Sequence, residues 1–520
     1  MASRAGQLAG RLAHQKIDKS ATTIVRPLDC ITTKNSLIYS GMKVVTTEQL
    51  HDLDQRTIAA GTPVVELMER AGHAVAQGCL KLLNPRASRT ILLFAGKGNN
   101  GGDAFAAARE LAAAGCRPTL VLLGQPGDLT GAARTHFQRL TVIPIREWPG
   151  TMPTPDLIVD GLLGTGRAGE VRDPYAAAIR FINSAPAPVL SIDVPSGLGT
   201  PICVCADVTV TFGVPKLELL QPAAADFIGR LEVADIGLLP TTAAVAGLEW
   251  LTADDIVLPK RNWSAHKGTF GHLLIIAGAE GYTGAPVLCA HAAARSGVGL
   301  VTLAVPRNIY EIVAGRCPPE VMPIALDRLP SLDNFAAVAI GPGLGRAQET
   351  QSFVRDLVAK LTGPVVVDAD ALAAITLRPG LVLTPHPGEM GRLIGQSGPA
   401  VQANRWEIAR QFARNQDVTL ALKGAGTVVT DKSGKLWINS TGNPGMAKGG
   451  MGDALTGIIG GLLAQGLPAI EAVKAGVFLH GRAGDLAAQR IGETAMLATD
   501  LIAALGAAFC NGLTTPASDR

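Results

Sequence analysis

The chain has 520 residues, 47% of them hydrophobic and 17% charged, a composition typical of well-buried globular proteins rather than disordered chains. This length exceeds what one hydrophobic core usually supports, so we expect more than one domain. The formal net charge of +3 and the 4% of aromatic residues argue against a nucleic-acid partner, because they provide neither a basic surface nor a base-stacking platform.

The cysteines and the N-terminal residues bear on where the protein works. None of the eight cysteines belongs to a CxxC pair, and Cys203 and Cys205 have poor zinc spacing, so we expect reduced thiols in a cytoplasmic protein. Nowhere do 18 apolar residues follow one another, so we expect no membrane partner. Residues 1–41 carry six lysines and arginines against two aspartates, without the apolar region of a secretory signal. We expect a flexible extension or an over-long start there, and an organellar transit peptide is the alternative.

The first half of the chain begins with helical patterns at residues 47–54 and 64–83, followed by an apolar strand at 90–95. The glycine-rich segment GKGNNGGDAF (96–105) comes next and leads into a predicted helix at 104–114. A strand, a glycine loop and a helix form the unit that binds phosphates or dinucleotides. Asn99, Asn100 and Asp103 add hard oxygen atoms, which suit an alkali or alkaline-earth cation.

Polar residues follow the ends of further predicted strands at 119–123, 156–159, 188–192 and 208–212. Asp160 opens the segment DGLLGTGRAGE (160–170), while Asp193 and Ser196 lie in DVPSG (193–197). Because the carboxyl ends of parallel strands meet at one edge of a sheet, we expect these residues and Asn100 to form one site. Taken singly, each of them could instead be an Asx turn or a helix cap.

Four motifs in this order, LMERAG (67–72), GKGNNGGD, DGLLGTG and DVPSG, resemble the NAD(P)H-hydrate epimerase domain over residues 43–240. The resemblance implies a Rossmann-like fold and a potassium ion bound by Asn100, Asp160 and Ser196. It makes Asp193 the proton-transfer group. Arg167 stands where some members have a lysine, and since an arginine holds its proton, this argues against a base at that turn. The resemblance also implies that the hydrate contacts Asn99, Asn100, Gly101, Gly102, Asp103, Gly164, Thr165, Gly166, Arg167, Ala168, Gly169, Glu170 and Asp193.

Residues 238–245 mix proline, threonine and small residues without periodicity, and a second series of helices and strands follows them. We therefore predict a boundary near Ala246, with one domain at 42–245 and another at 246–520. In the second, a polar glycine loop and strand at 264–278 precede a small-residue helix at 282–299.

Predicted strands at 301–305, 336–340, 365–367, 381–383 and 418–422 precede further motifs. The last four lead into GPGLG (341–345), DADAL (368–372), TPHPGE (384–389) and KGAGT (423–427). Lys423 followed by two glycines predicts a clamp for nucleotide phosphates, and a solvated lysine in a hairpin turn is the alternative. His386 lies between two prolines at a strand end, where it either contacts a ligand or has a structural role.

The segment NPGMAKGGMGDALTG (443–457) precedes an apolar run at 458–463 that reads as a buried helix. Gly449, Gly450 and Gly452 let the backbone approach a ligand closely, and the helix N-terminus favours an anion such as phosphate. Asp453 falls in the first turn, where we expect it to be held as the carboxylate and to act as a base on a hydroxyl that attacks a phosphoryl group. A glycine-rich turn with Asp453 as a plain N-terminal charge is the alternative.

With HKG, YTGA and the motifs above, residues 264–500 resemble the ribokinase-like fold and, more narrowly, NAD(P)H-hydrate dehydratases that use ADP or ATP. The resemblance implies that the hydrate contacts Ala285, Gly343, His386 and Asp453, and that ADP with Mg²⁺ supplies the phosphoryl group. Lys448 stands where threonine is as common. The resemblance places the adenine nucleotide at Lys423, Gly424, Ala425, Gly426, Thr427 and Gly452.

The predicted fold class is thus α/β, with a Rossmann-like domain followed by a ribokinase-like one. The two resemblances together imply a bifunctional nicotinamide-nucleotide repair enzyme that acts on NADHX and NADPHX, the hydrates of NADH and NADPH. It would epimerise their R and S forms and dehydrate the S form with ADP, and we expect a homo-oligomer. A ribokinase-type small-molecule kinase and a non-catalytic nucleotide sensor are the alternatives.

Overall fold

The computed structural model describes residues 42–83, 89–165, 169–241, 244–245 and 247–510. They divide into two compact units, the first formed by Lys43–Val245 and the second by residues from Ala246 onward together with Met42. The division falls beside the predicted boundary. The predicted N-terminal extension, residues 1–41, lies outside the described residues.

The first unit is built on a parallel sheet with the strand order β4-β3-β2-β5-β6-β7-β8. The order reverses between β2 and β5, as in doubly wound α/β folds, where ligands bind beyond the strand ends at this reversal. Strand β1, Met42–Lys43, lies at the division between the units and is not part of this sheet. The strands of the sheet are Thr90–Ala95 (β2), Arg117–Leu122 (β3), Ile145–Arg146 (β4), Leu157–Gly161 (β5), Val189–Ile192 (β6), Val208–Phe212 (β7) and Arg230–Ala234 (β8). The helices are Thr47–Ala59 (α1), Val64–Leu82 (α2), Asn99–Ala113 (α3), Gly131–Gln138 (α4), Tyr175–Ser184 (α5), Leu217–Leu220 (α6) and Ala225–Ile228 (α7).

Burial explains why these segments fold as they do. Every residue of β5, β6 and β7 is buried, which is expected of parallel strands covered by helices on both faces. Helix α2 buries Leu67, Met68, Ala71 and Val75, the apolar stripe that the sequence predicts. Helix α1 begins at a capping box, in which Thr46 accepts from the backbone of the third helical residue.

The predicted start of the third helix was wrong. Helix α3 begins at Asn99 rather than Ala104, so most of the glycine-rich segment lies in its first turns. The glycines are needed there for close packing rather than for an open loop. A Cβ atom on Gly101 would overlap the carbonyl oxygen of Gly96, and one on Gly102 would overlap the sulfur of Met68.

The second unit contains a larger sheet, in which its own strands have the order β9-β18-β17-β16-β15-β14-β13-β10-β11-β12. All neighbours are parallel except β16–β17 and β17–β18, so the KGAGT motif is the turn of an antiparallel hairpin. The strands are Leu248–Leu251 (β9), His272–Ile276 (β10), Leu300–Val305 (β11), Val321–Ala325 (β12), Ala337–Ile340 (β13), Val365–Val367 (β14), Leu381–Leu383 (β15), Thr419–Leu422 (β16), Val428–Thr430 (β17) and Leu436–Asn439 (β18). The helices are Gly284–Arg295 (α8), Tyr310–Ala314 (α9), Gln348–Lys360 (α10), Pro387–Ile394 (α11), Gly398–Ala403 (α12), Arg405–Gln416 (α13), Met451–Ala464 (α14), Ala469–Ile491 (α15) and Ala498–Cys510 (α16).

Helix α14 lies at the centre of the second unit, and every residue from Ala454 to Ala464 is buried. It packs so closely on α8 that a Cβ atom on Gly457 would overlap the carbonyl oxygen of Cys289. The apolar run that predicted this helix is therefore its buried C-terminal part, and the predicted α/β class is confirmed in both units. None of the helices in the described ranges has the length and apolarity needed to cross a membrane.

Candidate active sites

Asp160 at the end of β5 is the centre of a buried polar cluster in the first unit. The residue is 0% exposed, and its carboxylate accepts hydrogen bonds from the Ser196 hydroxyl (2.6 Å), the Ser196 amide (2.8 Å) and the Ser191 hydroxyl (2.9 Å). Burial raises the pKa of the Asp160 carboxyl, although the hydrogen bonds from Ser196 and Ser191 oppose the shift. No lysine or arginine of the described residues forms an ion pair with Asp160. The site therefore holds a buried carboxylate with only neutral donors.

Asn100 completes this cluster from the first turn of α3. Its amide nitrogen donates to the carbonyl oxygens of Leu163 (3.0 Å) and Ile192 (2.9 Å), which leaves its side-chain oxygen Oδ1 for a ligand. Oδ1 lies against Gly164, where a Cβ atom would be 2.6 Å away. The predicted trio of Asn100, Asp160 and Ser196 thus meets in space. One carboxylate among neutral oxygens suits a monovalent cation, and the described residues contain no group of three or more acidic, histidine or cysteine side chains that could hold a metal.

Asp193 lies beside this cluster in a left-handed backbone conformation, with φ of 64°. Lys216, which is 0% exposed, forms an ion pair with Oδ1 of Asp193 and donates to the Thr211 hydroxyl (2.6 Å). The Thr211 hydroxyl donates to the same Oδ1 at 3.2 Å. Among the described residues no group donates to Oδ2, so the second oxygen of Asp193 is available to a substrate.

Two further carboxyl groups share this environment. Burial raises the pKa of Asp103 well above its usual value, and the charge of Asp193 adds to the shift while Lys216 opposes it. Burial also raises the pKa of Asp54, although the charge of Lys216 opposes this shift. One buried lysine is therefore close enough to three carboxyl groups to act on them, and it pairs directly with Asp193.

The remaining predicted contacts lie around this cluster. Asn99, Gly169 and Glu170 are exposed, whereas Gly101 and Gly102 are buried. Gly164 and Thr165 are half-buried. Gly166, Arg167 and Ala168 lie outside the described residues. Sequence reasoning missed Lys216, because Asp193 directly follows β6 whereas Gly213, Val214 and Pro215 separate Lys216 from the end of β7.

In the second unit, Asp368 after β14 organises the site. It is 1% exposed, and its two oxygens accept from Lys423 Nζ (2.6 Å) and the Thr456 hydroxyl (2.7 Å). Glu389 lies 3.8 Å from the same Nζ. The DADAL motif marked this position, but sequence reasoning gave Asp368 no role.

Lys423 is not a solvated hairpin lysine, since its side chain is only 19% exposed. Burial lowers the pKa of its amine, but the carboxylates of Asp368 and Glu389 outweigh this, and the pKa is raised overall. The following turn is open, with Gly424 and Gly426 at φ of 140° and 58°. Gly452 lies across from it, because a Cβ atom there would be 3.4 Å from Lys423 Nζ. The hairpin turn and the N-terminus of α14 therefore face each other.

Asp453 is the third residue of α14, as predicted, but the expectation that the helix N-terminus simply holds it as the ion needs correction. Its pKa is raised to about 6, because its carboxyl is largely buried and the charge of Asp368 is nearby, while Lys423 opposes the shift. The residue is still mostly ionised at neutral pH. A carboxylate with a raised pKa is a stronger base than an exposed one, which suits proton abstraction.

His386 has a structural role whatever else it does. It caps α11, where its Nδ1 accepts from the amide of Gly388 (3.0 Å), and its own amide donates to Glu389 (2.8 Å). Because Nδ1 is an acceptor, the ring proton is on Nε2, and the ring is half exposed. A hydrate contact through Nε2 remains a prediction.

Gly343 and Ala285, two further residues predicted to contact the hydrate, lie close together. Gly343 has φ of 64°, and a Cβ atom on it would be 2.9 Å from Cβ of Ala285. The backbone at Gly343 therefore packs closely against the start of α8. Lys448 instead donates to the carbonyl oxygens of Thr494 (2.5 Å) and Met496 (2.9 Å). Its amine is therefore bound by the protein, which argues against a phosphate contact.

Comparisons with known proteins match both units of the chain. The family model described as NAD(P)H-hydrate dehydratase matches residues 273–506, and the one described as YjeF-related protein N-terminus matches residues 64–218. The bifunctional NAD(P)H-hydrate repair enzyme Nnr of Moorella thermoacetica is 39% identical over 89% of this chain and 95% of its own. The Escherichia coli protein of the same name is 38% identical over 86% and 89%.

Among solved structures, the ADP/ATP-dependent NAD(P)H-hydrate dehydratase of Bacillus subtilis, co-crystallised with ATP and Mg²⁺, is 33% identical. It covers 51% of this chain and 99% of its own, with a TM-score of 0.48. The matches to the two full-length relatives span both units and nearly the whole of each relative. The chain belongs to the family of bifunctional NAD(P)H-hydrate repair enzymes.

Proposed function

We propose that the first unit interconverts the R and S hydrates of NADH and NADPH, and that the second dehydrates the S form with ADP, releasing AMP and phosphate. The observation that carries the proposal is the arrangement at α14, where the half-buried carboxylate of Asp453, with its raised pKa, lies near the Lys423–Asp368 ion pair. Such a pair of a base and a fixed cation serves phosphoryl transfer to a hydroxyl group.

In the second unit, Asp453 would take the proton of the hydrate hydroxyl as its oxygen attacks the β-phosphorus of ADP, and AMP would leave. Hydroxide is a poor leaving group and phosphate is a good one. The ring nitrogen could then expel phosphate, and loss of a proton from the neighbouring carbon would restore the dihydronicotinamide. Lys423 would stabilise the charge on the transferred group, since its Nζ is already held by Asp368.

The nucleotide would lie between the turn at 423–427 and Gly452. The exposed backbone of Gly424 and Ala425 supports this, because exposed amide groups of a glycine turn bind phosphate oxygens. We expect Mg²⁺ to be bound mainly by the nucleotide phosphates, since Lys423 and Thr456 already occupy both oxygens of Asp368. Such an ion would neutralise charge that develops on the phosphates.

In the first unit, we propose that Asp193 moves the proton through its Oδ2. Lys216 holds Asp193 through Oδ1, and Asp103, whose pKa burial raises, could supply a proton in turn. Potassium fits the neighbouring cluster, because Asn100, Asp160 and Ser196 offer hard oxygens around one uncompensated carboxylate. The ion would fix the loops that shape the hydrate pocket. A homo-oligomeric assembly and a cytoplasmic location remain predictions.

The proposal is tested by incubating the full-length protein with S hydrate and ADP and following the absorbance of the reduced ring together with AMP and phosphate. We expect one AMP and one phosphate for each NADH or NADPH restored, and no restoration without a nucleotide. Accumulation of a stable phosphorylated product would instead identify a kinase, and tight binding of the hydrate without turnover would identify a sensor.

A further inference from the structure

Arg405, the first residue of α13, is buried beneath the hairpin turn at 423–427. The residue is 2% exposed, and its guanidinium donates to the backbone carbonyl oxygens of Leu422 (2.7 Å), Ala425 (2.9 Å) and Lys423 (3.1 Å). Its Nε is buried without a partner among the described residues. A single side chain thus binds three carbonyl groups within four consecutive residues, from the last residue of β16 into the turn.

Arg405 thus binds carbonyl groups of the segment, while the backbone amides that follow Lys423 are left for another partner. No described residue accepts a hydrogen bond from the amides of Gly424, Ala425 or Gly426, and both Gly424 and Ala425 are exposed. Gly424 permits the close approach, since its φ is 140° and a Cβ atom on it would be 3.0 Å from Nη1 of Arg405. Successive backbone amides without a protein acceptor on an exposed glycine turn suit an anion.

The charge of Arg405 adds to this surface. No acidic residue in the described ranges forms an ion pair with it, and burial alone lowers its pKa, to about 10, so it stays charged at neutral pH. A buried cation without a carboxylate is costly for the fold. In other proteins a neighbouring acidic residue compensates the charge of such a buried cation. Here a polyanion bound above the turn would compensate it.

We propose that Arg405 is a positioning residue of the nucleotide site, holding the amides of residues 424–426 toward the phosphates of ADP and adding an uncompensated positive charge behind them. This inference depends on the proposed binding of ADP at the turn. Arg405 itself would not touch the nucleotide, since its nitrogens are occupied by the three carbonyl groups.

The test uses the full-length protein with Arg405→Met and Arg405→Lys, and measures Kd for ADP by calorimetry and KM against kcat for dehydration. We expect Arg405→Met to raise Kd and KM for ADP about 10- to 100-fold, while kcat at saturating ADP and KM for the hydrate change little. Arg405→Lys should give a smaller increase, because it keeps the charge but loses the three-carbonyl geometry. If Arg405→Met fails to fold, the Kd of Arg405→Lys decides the question.

Arg410→Met is the matched control, since Arg410 on the same helix donates to the carbonyl of Gly434 in the next turn (3.1 Å) and should leave the Kd for ADP unchanged. A merely structural Arg405 would lower the fraction of protein that binds ADP without changing Kd, and that result would overturn the inference. Lys423→Met distinguishes an error in the proposed nucleotide site from an error in the proposed role of Arg405. If Lys423→Met leaves the Kd for ADP unchanged, the proposed nucleotide site is wrong. If only Lys423→Met weakens binding, the role of Arg405 is wrong.

Discussion

Asp453→Asn should abolish dehydration and at the same time stabilise the second unit. The carboxyl of Asp453 is partly buried and close to the charge of Asp368, so its pKa rises from 3.8 to about 6. Between these two values the native state binds a proton that the unfolded chain does not, and stability therefore falls as the pH rises through this window. Asparagine has nearly the same shape and no charge, so it avoids the cost.

The size of the expected stabilisation follows from the shift in the pKa of Asp453. A difference of about two pKa units corresponds to about 3 kcal/mol when Asp453 is fully ionised, at pH 7 and above. At pH 5 the native carboxyl is mostly protonated, and the cost falls to roughly half of that. The dehydration rate should drop on the order of 100-fold or more, because the variant lacks the base. In the wild type the rate should fall with protonation of Asp453 below about pH 6.

Urea unfolding at pH 7 and pH 5, followed by tryptophan fluorescence, measures the stability difference. Four of the five tryptophans, Trp250, Trp263, Trp406 and Trp437, lie in the second unit. We expect Asp453→Asn to be more stable by about 2–3 kcal/mol at pH 7 and by about half as much at pH 5. A variant that is no more stable than the wild type, or one that dehydrates the hydrate at the normal rate, would refute the reasoning.

Three other changes have expected outcomes. Asp368→Asn removes the nearer of the two carboxylates beside Lys423 and leaves Glu389, so urea unfolding should show a loss of about 1–3 kcal/mol, opposite in sign to Asp453→Asn. Lys216→Met should slow exchange between the R and S hydrates at least about 10-fold, as followed by chromatography, because Asp193 loses its cation. Lys474→Met, which removes a lysine paired with Glu471 in the second unit, is its control and should leave exchange unchanged. Replacing potassium with sodium or lithium should slow the same exchange sharply. An exchange rate that does not depend on the cation would show that the proposed potassium site plays no part in epimerisation.

Much of the first site could be predicted because its residues follow a rule that depends only on local sequence. In a parallel sheet, polar residues after strand ends share one edge, and Asn100, Asp160, Asp193 and Ser196 do lie together there. The start of α3 could not be predicted in the same way. Glycine disfavours helices by its own propensity, and only the tight packing of Gly101 and Gly102 against their neighbours explains why they are helical.

In the second site, the positions of several residues could be predicted from the sequence, but the raised pKa of Asp453 could not. The position of Asp453 at a helix N-terminus follows from the apolar run after it, yet its raised pKa depends on burial and on Asp368, 85 residues earlier in the chain. The contacts of Arg405 are equally invisible in the sequence, because its partners are backbone carbonyl groups 17 to 20 residues further along the chain. Long-range burial and backbone partners leave no periodic signal.

The central claim is that two units act in sequence on one damaged nucleotide, and pure R hydrate with ADP tests it most directly. The wild-type chain should restore all of the reduced-ring absorbance. Asp193→Ala should restore it only at the rate of spontaneous exchange, and Asp453→Asn should convert R to a mixture of R and S without restoring absorbance. Full and rapid restoration by Asp193→Ala would contradict the account, because the R form would then need no epimerisation by the first unit.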